Sequence, residues 1–431
     1  MITLLAINWA SVGLQAGQLI LSLSILVIIH ELGHYLTAKW FKCRVEKFYL
    51  FFDPWFSLFK KKVGETEYGV GWLPLGGYVK IAGMIDESMD KEQMNKPPQP
   101  WEFRSKPAWQ RLIIMVAGVT MNILLAFFIY SMILLVWGEK KVPVSSMKYG
   151  LAFRDSLMFD LGFKNGDKIL AVNDQPVEDY TDIVKKLILG DHVSIERDGS
   201  PQTITLPVDL IGKLVEKKRS RMPLLEPRIP VVVNEVTVSG NADKAGLQSG
   251  DRIIAVNGSP AVFFDELKNT LEKHKDQTVQ VSILRGADTL SLPTDVTAEG
   301  TIGFGLVSTI PDLDSMGILK LQVTRYSVLE AFPAGVKMAG EQLQFYIDQF
   351  KKILSPETGA YKGVGGFKAM GSIFPDSVWD WESFWRITAF FSIVLAFMNL
   401  LPIPALDGGH VMFTLYEMVS GRKPSDKFLE Y

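Results

Sequence analysis

The sequence predicts a multi-span α-helical membrane protein that carries a β-hairpin or small sheet at the membrane surface and a duplicated α+β module outside it. Three observations in the 431-residue chain predict this architecture. Charged residues vanish from Met1 to Ile29, from Leu112 to Gly138 and from Ile387 to Leu406, and each run, as a helix, is long enough to cross the roughly 30 Å apolar layer of a bilayer. A Gly- and Asp-bearing segment occurs twice between the second and third runs. Between the first two runs, aromatic and β-branched residues surround Pro54 and Pro74, which favours strands and disfavours a helix.

The first run has no basic flank before it and no small-residue cleavage site, so it is expected to stay in the mature protein as a span. Short flanks rich in Lys and Arg remain in the cytoplasm. Lys39, Lys42, Arg44 and Lys47 follow the first run, Arg104, Lys106 and Arg111 precede the second, and Arg422, Lys423 and Lys427 follow the third. The N-terminus and the segment from about 139 to 383 are therefore expected outside. Net charge of −2 gives no sign of a nucleic-acid partner. A single cysteine, Cys43, excludes an internal disulfide and a thiolate zinc cluster made by this chain alone, so any metal must be held by His, Asp or Glu.

The hairpin is expected from Val45 to Phe59 and again from Glu67 to Ile81, interrupted by Lys60–Lys62 and Gly64. Its simplest role is anchoring at the interface, where Trp and Tyr concentrate. Farther on, Gly162-Phe-Lys-Asn-Gly-Asp-Lys-Ile-Leu-Ala-Val-Asn173 recurs as Gly246-Leu-Gln-Ser-Gly-Asp-Arg-Ile-Ile-Ala-Val-Asn257. Each copy has a Gly-Asp turn, a short strand ending in Asn, a Pro and a helix-like stretch. These copies resemble tandem PDZ domains over 145–215 and 228–308. Such a module can take an extended peptide on its sheet edge or serve as a rigid spacer or cover. From Ser327 to Leu354 apolar residues recur at helical spacing, which predicts an amphipathic helix on the outer face, and Gly363, Gly365 and Gly366 mark a loop. The expected division is 1–40, 108–138 and 384–410 for the spans, 41–107 for the surface β region, 320–383 for the helix and loop, and 411–431 for a cytoplasmic segment.

His30-Glu31-Leu32-Gly33-His34 is the H-E-x-x-H pattern, which on a helix sets two imidazoles one turn apart with the Glu beside them, as zinc requires. Ionisable groups in a membrane helix are costly and functional by default, which outweighs reading the two as packed core histidines. A catalytic zinc usually takes a third protein ligand and keeps an open position. The third run ends in Asn399-Leu-Leu-Pro-Ile-Pro-Ala-Leu-Asp407-Gly-Gly-His410, where prolines and glycines interrupt the helix. The first and third runs both cross from outside to inside, so Asp407 lies in the leaflet of the histidines. His410 is its rival on chemistry alone.

The chain resembles the site-2 protease family of intramembrane zinc metalloproteases over nearly its whole length. The resemblance rests on His30 to His34, Leu75-Gly-Gly-Tyr-Val-Lys80, Gly118 and Asn122, the two repeats, and Asn399 to His410. It implies zinc (Zn2+) held by His30, His34 and Asp407, with Glu31 as general base. Asn399 and Pro402 would position substrate, Leu75, Gly76, Gly77 and Tyr78 would guide an unwound substrate, and Gly118 and Asn122 would support the site from the second span. It further implies a bacterial inner-membrane enzyme, active site toward the cytoplasm and PDZ modules in the periplasm. Its partner would be a single-pass membrane protein, an anti-sigma factor in a stress response, trimmed outside beforehand, with remnant signal peptides as further substrates.

The sequence departs from the family pattern where Val119 follows Gly118 and Phe367 follows Gly366, both matters of helix shape. A fourth span is expected after the region near Lys423. Two rival readings are a PDZ-bearing scaffold with structural zinc, which requires a closed four-ligand site, and a metal transporter, which requires ionisable groups in several spans. The second span offers only Asn122 as a strong polar group.

Overall fold

The computed structural model describes residues 8–84, 97–216, 223–403 and 406–422. Pro404, Lys423, Lys427 and the expected fourth span lie outside the described residues. The long helices are α1 (Trp9–Trp40), α2 (Ala108–Val136), α3 (Val328–Leu354), α4 (Trp381–Leu400) and α5 (Asp407–Ser420). Helices α1, α2 and α4 are long and apolar enough to cross a membrane. Two compact units form. One holds the described residues up to Gly138, Arg325–Ile347 and those from Gly365; the other holds Glu139–Thr324 and Asp348–Val364.

In the first unit, Asn8 caps α1 by accepting from Ser11 N–H, and Asp380 caps α4 through Glu382 and Ser383 N–H. Gln18, Ser22, Leu26, His30 and His34 recur every four residues as the buried stripe of α1. Where α1 crosses α2, a Cβ on Gly33 would stand 2.5 Å from the Ala117 carbonyl oxygen, so only glycine allows this approach. The Ser392 hydroxyl donates to the Asn122 carbonyl at 2.7 Å, and the Thr388 hydroxyl to Ser22 Oγ at 3.0 Å, which ties α4 to both neighbours. Ala126, Ile129, Ala389 and Ile393 fill the space between α2 and α4.

The third charge-free run does not stay helical to its end. The expected span at 384–410 is a helix only to Leu400, because Leu401, preceding Pro402, is forced into extended backbone. The chain turns, and Asp407 opens α5. A Cβ on Gly408 would fall 2.0 Å from the Leu401 carbonyl oxygen, so the turn requires glycine there.

Strands β1 (Val45–Val63) and β2 (Thr66–Ile81) meet across a turn in which Gly64 has φ +61°. The lysines expected as an interruption continue β1. Lys47 faces Lys80 on one side and Glu67 on the other, whereas Lys62 also faces Glu67. The pair is thus folded on itself, with the 77–81 stretch along one border. Gly77 meets α1, since a Cβ there would lie 2.6 Å from Val27 Cγ1.

The predicted helix is present as α3, but its buried residues are the small Ala331, Gly335 and Ala339, whereas Val328, Leu329 and Phe332 are exposed. Within the glycine-marked loop, Ala360–Gly363 forms a 3-10 turn and Phe367–Gly371 a short helix.

The second unit contains two four-stranded sheets of the same strand order, second-first-third-fourth. The first comprises Lys168–Val172, Gln175–Pro176, His192–Arg197 and Ser200–Thr205; the second comprises Arg252–Val256, Ser259–Pro260, Thr278–Arg285 and Asp288–Asp295. The repeated residues do the same work in each. Arg197 binds Asp167 at 2.7 Å and the Gly162 carbonyl at 2.7 Å; Arg285 binds Asp251 at 2.7 Å and the Gly246 carbonyl at 2.8 Å. Asn173 and Asn257 take positive φ, and their side-chain oxygens accept from Asp191 and Gln280 N–H.

Candidate metal centre

Helix periodicity brings His30 and His34 to one face of α1, where they are 7% and 6% exposed. Their rings meet edge to face with centroids 4.8 Å apart. Asp407 reaches them from the first turn of α5. His30 Nε2 and His34 Nε2 are 3.2 Å apart, and Asp407 Oδ2 lies 3.1 Å from the first and 3.3 Å from the second. Among the described residues, these three form the His/Cys/Asp/Glu group that could hold a metal ion. His410, one turn along α5, stands outside that group.

The donor set fits zinc by type and by spacing. A tetrahedral site with bonds of about 2.0 Å needs ligand atoms about 3.3 Å apart, and the three edges here are 3.1, 3.2 and 3.3 Å. Asp407 Oδ2 is buried and accepts no hydrogen bond of acceptable angle, despite two nitrogens at that range. A buried acceptor without a donor is costly, and a shared cation removes the cost.

Helix α2 supplies the surroundings. A Cβ on Gly118 would stand 2.4 Å from His34 Nε2 and 2.7 Å from His30 Cε1, so glycine makes room for both rings. His34 Nδ1 lies 2.8 Å from the Ile114 carbonyl oxygen, and the Asn122 carboxamide lies 3.2 Å from His30 Nδ1. From α4, Asn399 Nδ2 is 3.3 Å from His30 Nε2. Glu31 follows His30 on α1 and is half-buried. On β2, Tyr78 donates to Asp53 at 2.9 Å and stacks on Tyr49, while Gly76 faces the Phe52 ring. Pro402 lies exposed in the α4–α5 turn.

Sequence reasoning passed over Gly33, Ile114 and Ser392. Gly33 carries a signal, as a glycine inside the H-E-x-x-H run. Ile114 acts through its backbone, which no residue type reveals, and Ser392 stands on the same helix face as Asn399 two turns earlier.

A helix-borne pair of histidines joined by a carboxylate, beside three spans, defines a zinc metalloprotease of the membrane. The chain belongs to peptidase family M50, whose model matches residues 18–431, and it is an intramembrane zinc metalloprotease of the site-2 type. It is 28% identical over 416 residues to a protein of Neisseria meningitidis serogroup A provisionally named a zinc metalloprotease, covering 94% of this chain and 91% of that one. It is 25% identical over 454 residues to the regulator of sigma E protease of Salmonella typhi, covering 99% and 95%. The namesake from Haemophilus influenzae is 25% identical over 435 residues, covering 95% and 92%.

Proposed function

We propose that this protease cuts a single-pass membrane protein within the bilayer, with zinc held by His30, His34 and Asp407 and with Glu31 as general base. The observation that carries the reading is the triangle of His30 Nε2, His34 Nε2 and Asp407 Oδ2, with edges of 3.1–3.3 Å. Zinc at such a site supplies Lewis acidity, acidifying water and polarising the scissile carbonyl. Glu31 takes the proton from the attacking water and returns it to the leaving amine. Asn399, within reach of His30 Nε2, positions the substrate beside the site.

A helical substrate hides its carbonyls in hydrogen bonds and must unwind, and in lipid the freed groups need partners. The 77–81 stretch of β2 is paired with β1 along one side. Its other side offers backbone partners to an extended substrate, which gives Gly77 and Tyr78, with Leu75 and Gly76 leading into the stretch, a guiding role. Gly77 against Val27 sets this stretch beside α1 one turn before His30.

The relatives named for sigma E regulation support an anti-sigma factor as substrate and an inner-membrane location, and the Lys- and Arg-rich flanks of the spans support a site toward the cytoplasm and repeats in the periplasm. We read the two repeats as PDZ modules acting as a size filter that makes cutting depend on earlier trimming outside the membrane. Remnant signal peptides, already short, would pass the same filter.

The test is co-expression with single-pass proteins made with and without a folded exterior domain, using intact and repeat-deleted enzyme. A filter predicts that the intact enzyme cuts only the trimmed form and the deleted enzyme cuts both. Loss of all cutting on deletion makes the repeats a required receptor instead, and equal cutting of both forms by the intact enzyme removes either role.

A further inference from the structure

We propose that Asn122 is a positioning residue for the metal ligand His30, accepting a hydrogen bond from its Nδ1–H and so keeping the Nε2 lone pair aimed at the ligand triangle. The inference rests on the ligand reading above and assigns a role to a residue that none of the catalytic steps uses. Asn122 is fully buried in α2. Its Nδ2 is the carboxamide atom placed 3.2 Å from His30 Nδ1, while its buried Oδ1 has no hydrogen-bond donor.

The direction of that bond follows from the other ring nitrogen. His30 Nε2 is the atom that converges with His34 Nε2 and Asp407 Oδ2, so it must present a lone pair, and the neutral ring then carries its hydrogen on Nδ1. A ring N–H facing the carboxamide NH2 would set donor against donor. Rotation of the carboxamide by half a turn presents Oδ1 instead, and gives that oxygen the donor it lacks. His34 is held the same way, because its Nδ1 lies 2.8 Å from the Ile114 carbonyl, which can only accept. Both imidazoles are thus fixed by α2, on which Ile114, Gly118 and Asn122 share one face at one-turn intervals. Gly118 makes room between the rings, while its neighbours on that face orient them. The backbone of Asn122 is itself anchored by the Ser392 hydroxyl at 2.7 Å, which ties the positioning group to α4.

The test is zinc affinity of the full-length protein in detergent or nanodiscs, by competition with a chelator. Asn122→Leu keeps the branched shape, with some added bulk, and removes the acceptor, and it should weaken zinc binding by about 10- to 100-fold, the usual cost of losing an outer partner. Asn122→Asp restores an acceptor and should recover most of that loss. Asp407→Ala serves as the control on the ligand reading: if it binds zinc as the wild type does, the ligand assignment fails rather than the role of Asn122. Wild-type affinity in Asn122→Leu alongside weakened Asp407→Ala would overturn the proposal, as would an Asn122→Asp protein that folds yet binds as poorly as Asn122→Leu.

A second measurement needs no substitution at Asn122. The chain has five histidines, so 15N-histidine labelling with solid-state NMR can resolve the ring nitrogens, with His30→Ala giving the assignment. In the zinc-loaded protein, His30 Nδ1 should be of the protonated type. An unprotonated Nδ1, accepting from Asn122, would contradict the proposal.

Discussion

Gly118→Ala tests the packing of the centre without touching a donor atom. The added Cβ would stand 2.4 Å from His34 Nε2 and 2.7 Å from His30 Cε1, against an ordinary contact of about 3.5 Å. The overlap of about 1 Å must be relieved by moving the rings or by parting α1 from α2. Parting the helices would give up the close backbone packing at Gly33, where a Cβ would be 2.5 Å from the Ala117 oxygen, so the rings are the cheaper groups to move. Overpacking of this kind costs about 1–3 kcal/mol, which charged to the ordered ligand triangle is about a 5- to 150-fold loss of zinc affinity. The assay is chelator competition on the purified protein, with Gly17→Ala as control, since a Cβ at Gly17 meets nothing within 4 Å. Zinc affinity of Gly118→Ala equal to that of the control would refute the argument that α2 shapes the site.

Asp407→Ala should lower both bound zinc and proteolysis, whereas His410→Ala should leave bound zinc nearly unchanged; metal analysis of the two purified variants checks this, and the reverse pattern transfers the ligand role. Leu401 and Pro402 end α4, so Pro402→Ala should let helix propagate toward Asp407 and reduce cleavage while changing the yield of folded protein little; circular dichroism beside a cleavage assay reads both. In the second repeat, the Arg285 guanidinium bonds the Asp251 carboxylate and holds it below its ordinary range. A lowered carboxylate contributes stability that is full above its unfolded value of about 3.9 and lost as pH falls through the folded value. Limited proteolysis of the second repeat should therefore be flat at neutral pH and rise under acid, and Asp251→Asn should flatten that acid dependence.

Much of the membrane part is legible because its physics is local. Absence of charge over a helix-length run marks a span, and H-E-x-x-H carries its geometry in its spacing, so α1 and its imidazoles need no tertiary knowledge. The repeat is likewise visible twice over, since Asp167 and Asp251, or Asn173 and Asn257, make the same contacts in each copy. The helix end at Leu400 is less legible, because a run without charge says nothing about where backbone hydrogen bonding stops. Pro402 and Pro404 carry the signal that the helix is interrupted, and only the residue at which it stops is left to the structure. The doubling of β1 against both halves of β2 is not legible, since one-strand periodicity cannot show that Lys47 and Lys62 both face Glu67. The partners of His30 and His34 on α2 depend on helix crossing, set by Gly33 and Gly118, and only the second of these stood out in the sequence.

In the proposed reaction, proteolysis runs through a zinc site in which Glu31 handles the proton. Its most direct test is Glu31→Gln in the reconstituted full chain, with zinc content and cleavage of a single-pass substrate measured on the same sample. The ligands are untouched and the base is gone, so zinc should stay near one per chain while cleavage is lost by at least the roughly 10²- to 10⁴-fold that general acid–base catalysis contributes. Cleavage at the intact rate with zinc in place would contradict the claim.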